Sequence, residues 1–294
     1  MSPPTTRGLR EALRKGPLLV APGAYDALSA RLIERAGFPA VYMSGAGASY
    51  SLLGAPDLGL LSFEEMVGQV RRIAQAVHIP VVADADTGFG NALNVIRTVR
   101  EYEAAGADAV QLEDQSMPKR CGHLTEKRLI PAEEMAGKIR AACDARSSPD
   151  ILIIARTDAV GPEGLESALQ RLERYERAGA DLLFLEAPPN AEAYQEARAR
   201  LKAPLMANMV EGGRTPLLRR EELEALGVRL VIFPGAAARA AAFAVQDLLR
   251  TLREEGTTRG YLDRMLLFDQ LNEVVGLPGA LEQGQKYSSD EHSP

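Results

Sequence analysis

The sequence predicts a closed (β/α)8 barrel, the TIM-barrel architecture, with additional helices at its C-terminal end. Three observations carry this reading. Eight short apolar or β-branched runs recur along the chain, longer amphipathic stretches lie between them, and 294 residues suit one such barrel of about 250 residues plus an appendage. The strand runs are Leu18 to Gly23, Ala40 to Gly45, Pro80 to Asp86, Ala109 to Asp114, Ile151 to Asp158, Leu182 to Ala187, Pro204 to Met209 and Leu230 to Gly235. Between them, Ala27 to Ala36, Phe63 to Val77, Leu93 to Ala105, Pro131 to Ala145, Glu163 to Ala178 and Arg219 to Leu226 place apolar residues at three- and four-residue spacings, the period of a helix with one buried face. Alternation of this kind favours a parallel sheet, and eight units favour its closure.

Three helices end in almost the same phrase, Arg35-Ala36-Gly37, Ala105-Gly106-Ala107-Asp108 and Ala178-Gly179-Ala180-Asp181, each running directly into a strand. Glycine there suits a left-handed C-cap that turns the chain back towards the barrel. After the eighth strand an Ala-rich helix is expected over Ala236 to Glu255, then a turn at Gly256-Thr257-Thr258 and further helix around Tyr261 to Val275. Residues 1–283 are read as one domain and 284–294 as a disordered tail.

Composition sets limits on partners. Hydrophobic residues make up 46 % of the chain, enough for a large core, and no run of about 18 apolar residues is present to span a bilayer. The polar N-terminus through Lys15 lacks the apolar segment of a signal peptide, so a cytoplasmic location is expected and no membrane partner. A net charge of -6, with no basic cluster longer than Arg71-Arg72 or Lys119-Arg120, argues against nucleic acid. The two cysteines, Cys121 and Cys143, do not suggest a disulfide framework, and Cys143 sits in a helical run as packing.

In barrels the carboxyl ends of the strands line the reactive face. Read in order, those ends carry Ser44, Asp84 and Asp86, Glu113, Arg156, Glu186 and Asn208. Buried without partners, each such group costs a few kcal/mol, about the value of a good core contact, so their accumulation points to a site. Asp84 and Asp86 stand two apart on the expected third strand, which places both carboxylates on one face, suited to a hard cation such as Mg2+. The alternative is that they cap a loop or pair with Arg156. Lys119-Arg120-Cys121-Gly122-His123 follows strand four. Its cations are expected to favour the Cys121 thiolate, and Gly122 to give the loop freedom to move. One Cys and one His do not make a zinc site. Gly45 to Tyr50 lacks the last glycine of a dinucleotide fingerprint, and is read as a flexible loop whose N–H groups meet a substrate carboxylate. Gly212 to Thr215 either binds an anion or simply turns. His78 is read as structural and His292 as part of the tail.

These motifs resemble the isocitrate lyase and phosphoenolpyruvate mutase superfamily, most closely its 2-methylisocitrate lyase branch. The resemblance runs from Ala21-Pro22-Gly23-Ala24-Tyr25-Asp26 through Tyr42-Met43-Ser44-Gly45, Asp84-Ala85-Asp86-Thr87-Gly88, Leu112-Glu113-Asp114-Gln115, the Lys119 to His123 loop, Ala155-Arg156-Thr157-Asp158 and Ala207-Asn208-Met209, to Gly256-Thr257-Thr258. The resemblance implies that Asp84 and Asp86, helped by Glu113 and Asp57, anchor Mg2+, with Mn2+ as a substitute. It implies substrate contacts from Ser44, Gly45, Ala46, Gly122, Arg156, Glu186, Asn208 and Arg239, and a catalytic set of Cys121, His123, Lys119, Arg120 and Tyr42. Cys121 would protonate the carbanion left by carbon-carbon cleavage. The last barrel helix is exchanged between subunits in this family, which implies a homo-oligomer, dimer or tetramer. The leading expectation is a lyase of propionate catabolism, cleaving 2-methylisocitrate to pyruvate and succinate. Gln111, Gly212 and Phe268 depart from that branch's pattern, and keep oxaloacetate hydrolysis or decarboxylation, dimethylmalate cleavage and phosphonomutase chemistry open as alternatives. A barrel retained only to bind a small acid is disfavoured by the full set of charged strand ends.

Overall fold

The computed structural model describes residues 7–123 and 126–288. Eight parallel strands close into a barrel in chain order: β1 Leu19–Ala24, β2 Val41–Met43, β3 Val81–Asp84, β4 Ala109–Glu113, β5 Leu152–Thr157, β6 Leu182–Leu185, β7 Leu205–Asn208 and β8 Val228–Phe233. The helices α2 Ala27–Arg35, α4 Phe63–Ala76, α5 Ala92–Ala105, α6 Ala132–Ala145, α8 Leu165–Arg177 and α10 Arg220–Ala225 occupy the stretches the periodicity marked. Gly37, Gly106 and Gly179 have φ of 82, 101 and 107°, so the repeated helix-end phrase does encode left-handed turns into the strands.

Strand side chains alternate between two cores. Tyr42, Val82, Ala109, Leu152, Ile154, Leu182, Phe184, Met206, Leu230 and Ile232 fill the barrel interior, together with Leu9 and Leu13 of α1 (Arg7–Lys15). Val41, Val81, Val110, Leu112, Ile153, Ala155, Leu183 and Leu185 point outward and pack with the helices. A period of two therefore carries Asp84, Glu113, Arg156, Glu186 and Asn208 into the inward phase, one layer above the apolar filling.

Several expectations are corrected. Five helices lie outside the stretches named from sequence: α1, α3 Gly45–Leu53, α7 Val160–Glu163, α9 Glu192–Arg200 and α13 Leu277–Gln285. The segment from Gly45, expected as a flexible loop, is helical because Ser44 caps it, its Oγ accepting from the Gly47 N–H at 3.1 Å, while Gly54 at φ 61° closes the other end. Two glycines in its first turn hid its periodicity. The expected third strand ends at Asp84, and Asp86 lies beyond it at φ 48°, so a left-handed turn rather than strand alternation brings it to the site. Between β5 and α8 a short helix α7 spans Val160–Glu163.

By its internal contacts the chain divides into two compact units, Met1–Ala238 and Arg239–Pro294. The second comprises most of α11 Ala236–Glu255, a 3-10 turn at Arg259–Arg264, α12 Phe268–Val274 and α13. Within it Asp247 is buried and pairs with Arg250 and Arg264, and the Tyr261 hydroxyl donates to the Ala244 carbonyl at 3.1 Å. Gly284 and Gln285, placed in the tail by sequence, complete α13, and residues 289–294, with His292, lie outside the described residues. Among the described residues no helix is long and apolar enough to cross a membrane.

Candidate active site

The polar layer at the carboxyl ends of the strands is one connected network. Asp84 is its floor: Oδ1 accepts from Gln111 Nε2 at 3.1 Å and from the Asp86 N–H at 3.2 Å, and Oδ2 accepts from the Gly45 N–H at 3.3 Å. The Tyr42 hydroxyl donates to Gln111 Oε1 at 2.9 Å, so Gln111 bridges tyrosine and aspartate with both ends of its amide used. Burial first, then the neighbouring Asp86 charge, pushes Asp84 up to about 6, against the pull of Lys119 and Arg156. The same burial, with Asp84 close by, raises the Tyr42 phenol well above its ordinary value, so this hydroxyl is a donor and not a phenolate base. Ser44, Gly45 and Ala46 form the N-terminal turn of α3, whose positive dipole end meets this acid layer through the Gly45 N–H on Asp84.

Lys119 is buried, and its ammonium lies 2.5 Å from Asp57 Oδ1 and 2.7 Å from Asp86 Oδ1. Burial alone would lower its pKa, but Asp86, Glu113 and Asp57 together raise it well above the usual value. Arg156 is the opposite pole. Its guanidinium is bidentate on Asp158 at 2.9 and 3.1 Å and reaches Glu113 Oε2 and Glu186 Oε1, each at 3.4 Å. Glu186 also accepts from Asn208 Nδ2 at 3.2 Å and stands 3.5 Å from His123 Nε2.

The thiol loop lies directly on this layer. A Cβ on Gly122 would fall 2.1 Å from Glu186 Oε1 and 2.2 Å from Arg156 Nη2. Close approach therefore favours glycine there, a reason separate from the loop freedom expected of it. Gln115 holds the preceding residue from both sides, accepting from the Arg120 N–H at 2.9 Å and donating to the Arg120 carbonyl at 2.8 Å. His123 Nδ1 accepts from the Arg214 N–H at 3.1 Å, which leaves the proton of the neutral ring on Nε2, towards Glu186. Gly212 to Thr215 thus serves as a turn that seats His123. Burial lowers the His123 pKa in spite of Glu186, keeping the ring neutral.

The thiol itself reverses an expectation. Partial burial raises the Cys121 pKa, only partly opposed by a hydrogen bond from the His123 N–H. The cations that were to favour thiolate are engaged elsewhere, Lys119 with Asp57 and Asp86, and Arg120 with Glu126 at 3.0 Å. Cys121 is accordingly a protonated thiol at neutral pH, suited to give a proton.

The barrel unit thus gathers Tyr42, Ser44, Gly45, Ala46, Asp57, Asp84, Asp86, Glu113, Lys119 to His123, Arg156, Glu186 and Asn208 around one mouth. Arg239 begins the second unit, exposed on α11. His78 is exposed beside Glu34, and Cys143 is half-buried on α6 with its thiol against the Gly179 carbonyl, as a structural role requires. Sequence reasoning passed over Asp158, Lys127 and Gln115 and noted Gln111 only as a departure. Asp158 was within reach, since it ends the fifth strand run; Lys127 carries no signal, because only the folded loop returns it to Asp158.

A family model described as phosphoenolpyruvate phosphomutase matches residues 9–253. The chain belongs to the isocitrate lyase/phosphoenolpyruvate mutase superfamily. It is 48 % identical over 285 residues to 2,3-dimethylmalate lyase of Eubacterium barkeri, covering 97 % of this chain and 99 % of that one. It is 47 % identical over 268 residues to 2-methylisocitrate lyase of Aeropyrum pernix, covering 91 % and 86 %. A solved phosphonopyruvate hydrolase in complex with oxalate and Mg2+ superposes with a TM-score of 0.86 at 34 % identity, covering 96 % and 98 %. Members of the superfamily are lyases and mutases of small carboxylic acids, and generally depend on a divalent metal.

The residues of this chain fit such an ion. Among the described residues no three His, Cys, Asp or Glu side chains converge as a ready cage. Mg2+ does not need one, taking one or two carboxylates and keeping several waters. Glu113 Oε1 is buried with no hydrogen-bond donor, and burial raises the Glu113 pKa despite Arg156. Asp84, Asp86 and Glu113 are thus an excess of buried acid that a cation would relieve.

Proposed function

We propose that this chain is a carbon-carbon lyase that cleaves a branched 2-hydroxy dicarboxylate of the 2,3-dimethylmalate type. The observation that carries the reading is the packing of the thiol segment on the charged layer, with Gly122 tight against Glu186 and Arg156, beside Cys121, whose pKa burial raises. Asp84 and Asp86, with Glu113 and Asp57, would hold Mg2+, or Mn2+ in its place, and the ion would supply Lewis-acid stabilisation of charge developing on the oxo-acid half.

The protein's own groups do the rest. The Ala46 N–H at the start of α3 and the Ser44 hydroxyl receive one substrate carboxylate, with the Gly45 N–H held on Asp84 beneath them, while Arg156, Asn208 and Glu186 orient the other half. Loss of the 2-hydroxyl proton to a carboxylate of the mouth turns C2 into a ketone, and the C2–C3 electron pair stays on C3. Cys121 then gives its proton to C3. For 2,3-dimethylmalate this stoichiometry yields pyruvate and propionate. Tyr42 acts through Gln111 to hold Asp84 in place, and Lys119 balances Asp57 and Asp86.

Charge favours this substrate class over the 2-methylisocitrate expected from sequence. Among the described residues, Asp57, Asp84, Asp86, Glu113 and Glu186 line the mouth against Lys119 and Arg156, both of which are already paired. A mouth with so much negative charge takes a dianion more readily than a trianion, since each further like charge at close range is repelled. The near-equal identities to the two lyases leave charge as the deciding argument. A homo-oligomer in the cytoplasm completes the reading, supported by the exposed Phe243, Leu249 and Phe268 of the C-terminal helices.

The test is an assay of purified protein with Mg2+ against 2,3-dimethylmalate, 2-methylisocitrate, oxaloacetate and phosphonopyruvate, using native chain and Cys121→Ser. Oxo-acid release from dimethylmalate by the native chain, reduced at least about a hundredfold in the variant, is expected. Preference for 2-methylisocitrate would move the substrate assignment, and full activity of the variant on every acid would discard the mechanism.

A further inference from the structure

Lys127 lies outside the acid layer and has no role in the chemistry above, yet it is one of the few buried lysines, with its side chain 3 % exposed. Its ammonium makes two contacts. It donates to the Gly122 carbonyl at 2.6 Å and to Asp158 Oδ1 at 2.9 Å. The first holds the Gly122–His123 peptide, one residue past Cys121. The second ties that peptide to the barrel wall, because Asp158 is fully buried at the end of β5 and is itself fixed at Oδ1 and Oδ2 by Arg156. Burial would raise the Asp158 pKa, but Arg156 and Lys127 outweigh it and hold it at about 2, which favours the ionised anchor. The Asp158 N–H is in turn held by Asp114 Oδ1 at 2.9 Å. The backbone at Asp158 is therefore fixed independently of the loop.

A buried lysine carries a large desolvation cost and persists only where it is fully paired. Here both partners are specific: one is a carboxylate shared with the substrate-facing arginine, the other a single carbonyl in the thiol segment. A methionine of similar length would fill the space without either contact. Gly122 packs so closely on the charged layer that an added Cβ would fall 2.1 Å from Glu186 Oε1, so a shift of even an ångström at this segment moves Cys121 relative to Arg156 and Glu186.

We propose that Lys127 is a positioning residue that sets where the Cys121 thiol stands, by bonding the Gly122 carbonyl to Asp158 and so registering the thiol segment against Arg156. This rests on the reading of Cys121 as the proton donor, but its test does not require that reading to hold.

The experiment uses the full-length protein with Lys127→Met and, alongside it, Lys127→Gln. The direct readout is the rate at which iodoacetamide alkylates Cys121, followed residue by residue by mass spectrometry, with Cys143 as an internal reference on α6, away from the loop. Loss of a buried charge-assisted hydrogen bond is expected to speed Cys121 alkylation by about tenfold to a hundredfold while Cys143 is unchanged. With whichever acid the native chain turns over, kcat is expected to fall by a similar factor and KM to stay within about threefold, as for a group that places the proton donor and does not bind substrate. Unchanged Cys121 alkylation in both variants overturns the proposal, as does parallel acceleration at Cys121 and Cys143, which would report general loosening. A chain that fails to fold with either substitution also overturns it, since a tether on one loop does not support the barrel. Faster Cys121 alkylation with no loss of turnover would keep the tether and remove Cys121 from the chemistry.

Discussion

At the scale of single residues the site is governed by close approach and by where each charge is spent. Gly122 is the sharpest case. Its neighbours leave no room for a side chain, so Gly122→Ala must push the thiol segment away from Glu186 and Arg156. Activity is expected to fall at least about tenfold, because displacement by an ångström is enough to cost that much. The thermal midpoint should stay near that of the native chain, since the segment contributes little core, and a variant with normal turnover would contradict the geometry. The thiol shows why composition misleads at this scale. Lys119 and Arg120 flank Cys121 in sequence, yet the fold directs both to other carboxylates and leaves burial to decide the pKa. Asp84, Glu113, Arg156, Glu186 and Asn208 were legible because strand alternation fixes their direction. Asp158 and Lys127 meet only through the folded loop, across thirty-one positions of chain.

At the scale of elements the barrel keeps its chemistry at one end and its stability at the other. Asp108 opens β4 on the face opposite the site, where Oδ2 accepts from the Val81 N–H at 2.8 Å and Oδ1 is buried without a partner. Burial raises it to about 6, against that one hydrogen bond. A carboxyl whose folded pKa lies above its unfolded value binds protons on folding, so its favourable share is complete below about pH 4 and is lost as pH rises through about 6. Asp108→Asn removes this titration. Measured by urea unfolding, the stability of the variant relative to native protein is expected to increase by about 1–3 kcal/mol between pH 4 and pH 7. A pH-independent difference would show that Asp108 is not so buried in solution. Asp158 has the opposite sign: held at about 2, it stabilises above its unfolded pKa and that share is lost only as pH falls towards 2. Element prediction from periodicity succeeded for α4, α5 and α8, which bury one regular face, and failed for α3, where a serine cap and a left-handed glycine define the helix with almost no apolar pattern.

For the whole molecule the open question is assembly. Phe243 is 71 % exposed on α11 and Phe268 82 % exposed on α12, and Val245, Leu249, Leu252 and Leu271 are exposed as well. So much apolar surface on these two helices is more than a monomer carries without a partner. The proposed homo-oligomer should therefore weaken when that surface is charged. Phe243→Glu with Phe268→Glu is expected to shift the mass measured by light scattering towards that of one chain, while the barrel retains its circular dichroism. A native chain that is monomeric at micromolar concentration would remove the proposal.

The sequence by itself determined the barrel, its order and the inward set of polar strand ends, because period-two alternation and repeated helix caps are local rules that each strand obeys on its own. It also determined the superfamily, through motifs spread over nearly the whole chain. Only the tertiary structure decided that Gly45 opens a capped helix, that Asp86 enters by a left-handed turn and that Gly122 is packed rather than free. It likewise decided that burial raises the Cys121 pKa and that Lys119 and Arg120 are drawn to other carboxylates. These depend on which groups meet across the barrel mouth, and on how much water and counter-charge burial leaves them, quantities that no local stretch of sequence contains.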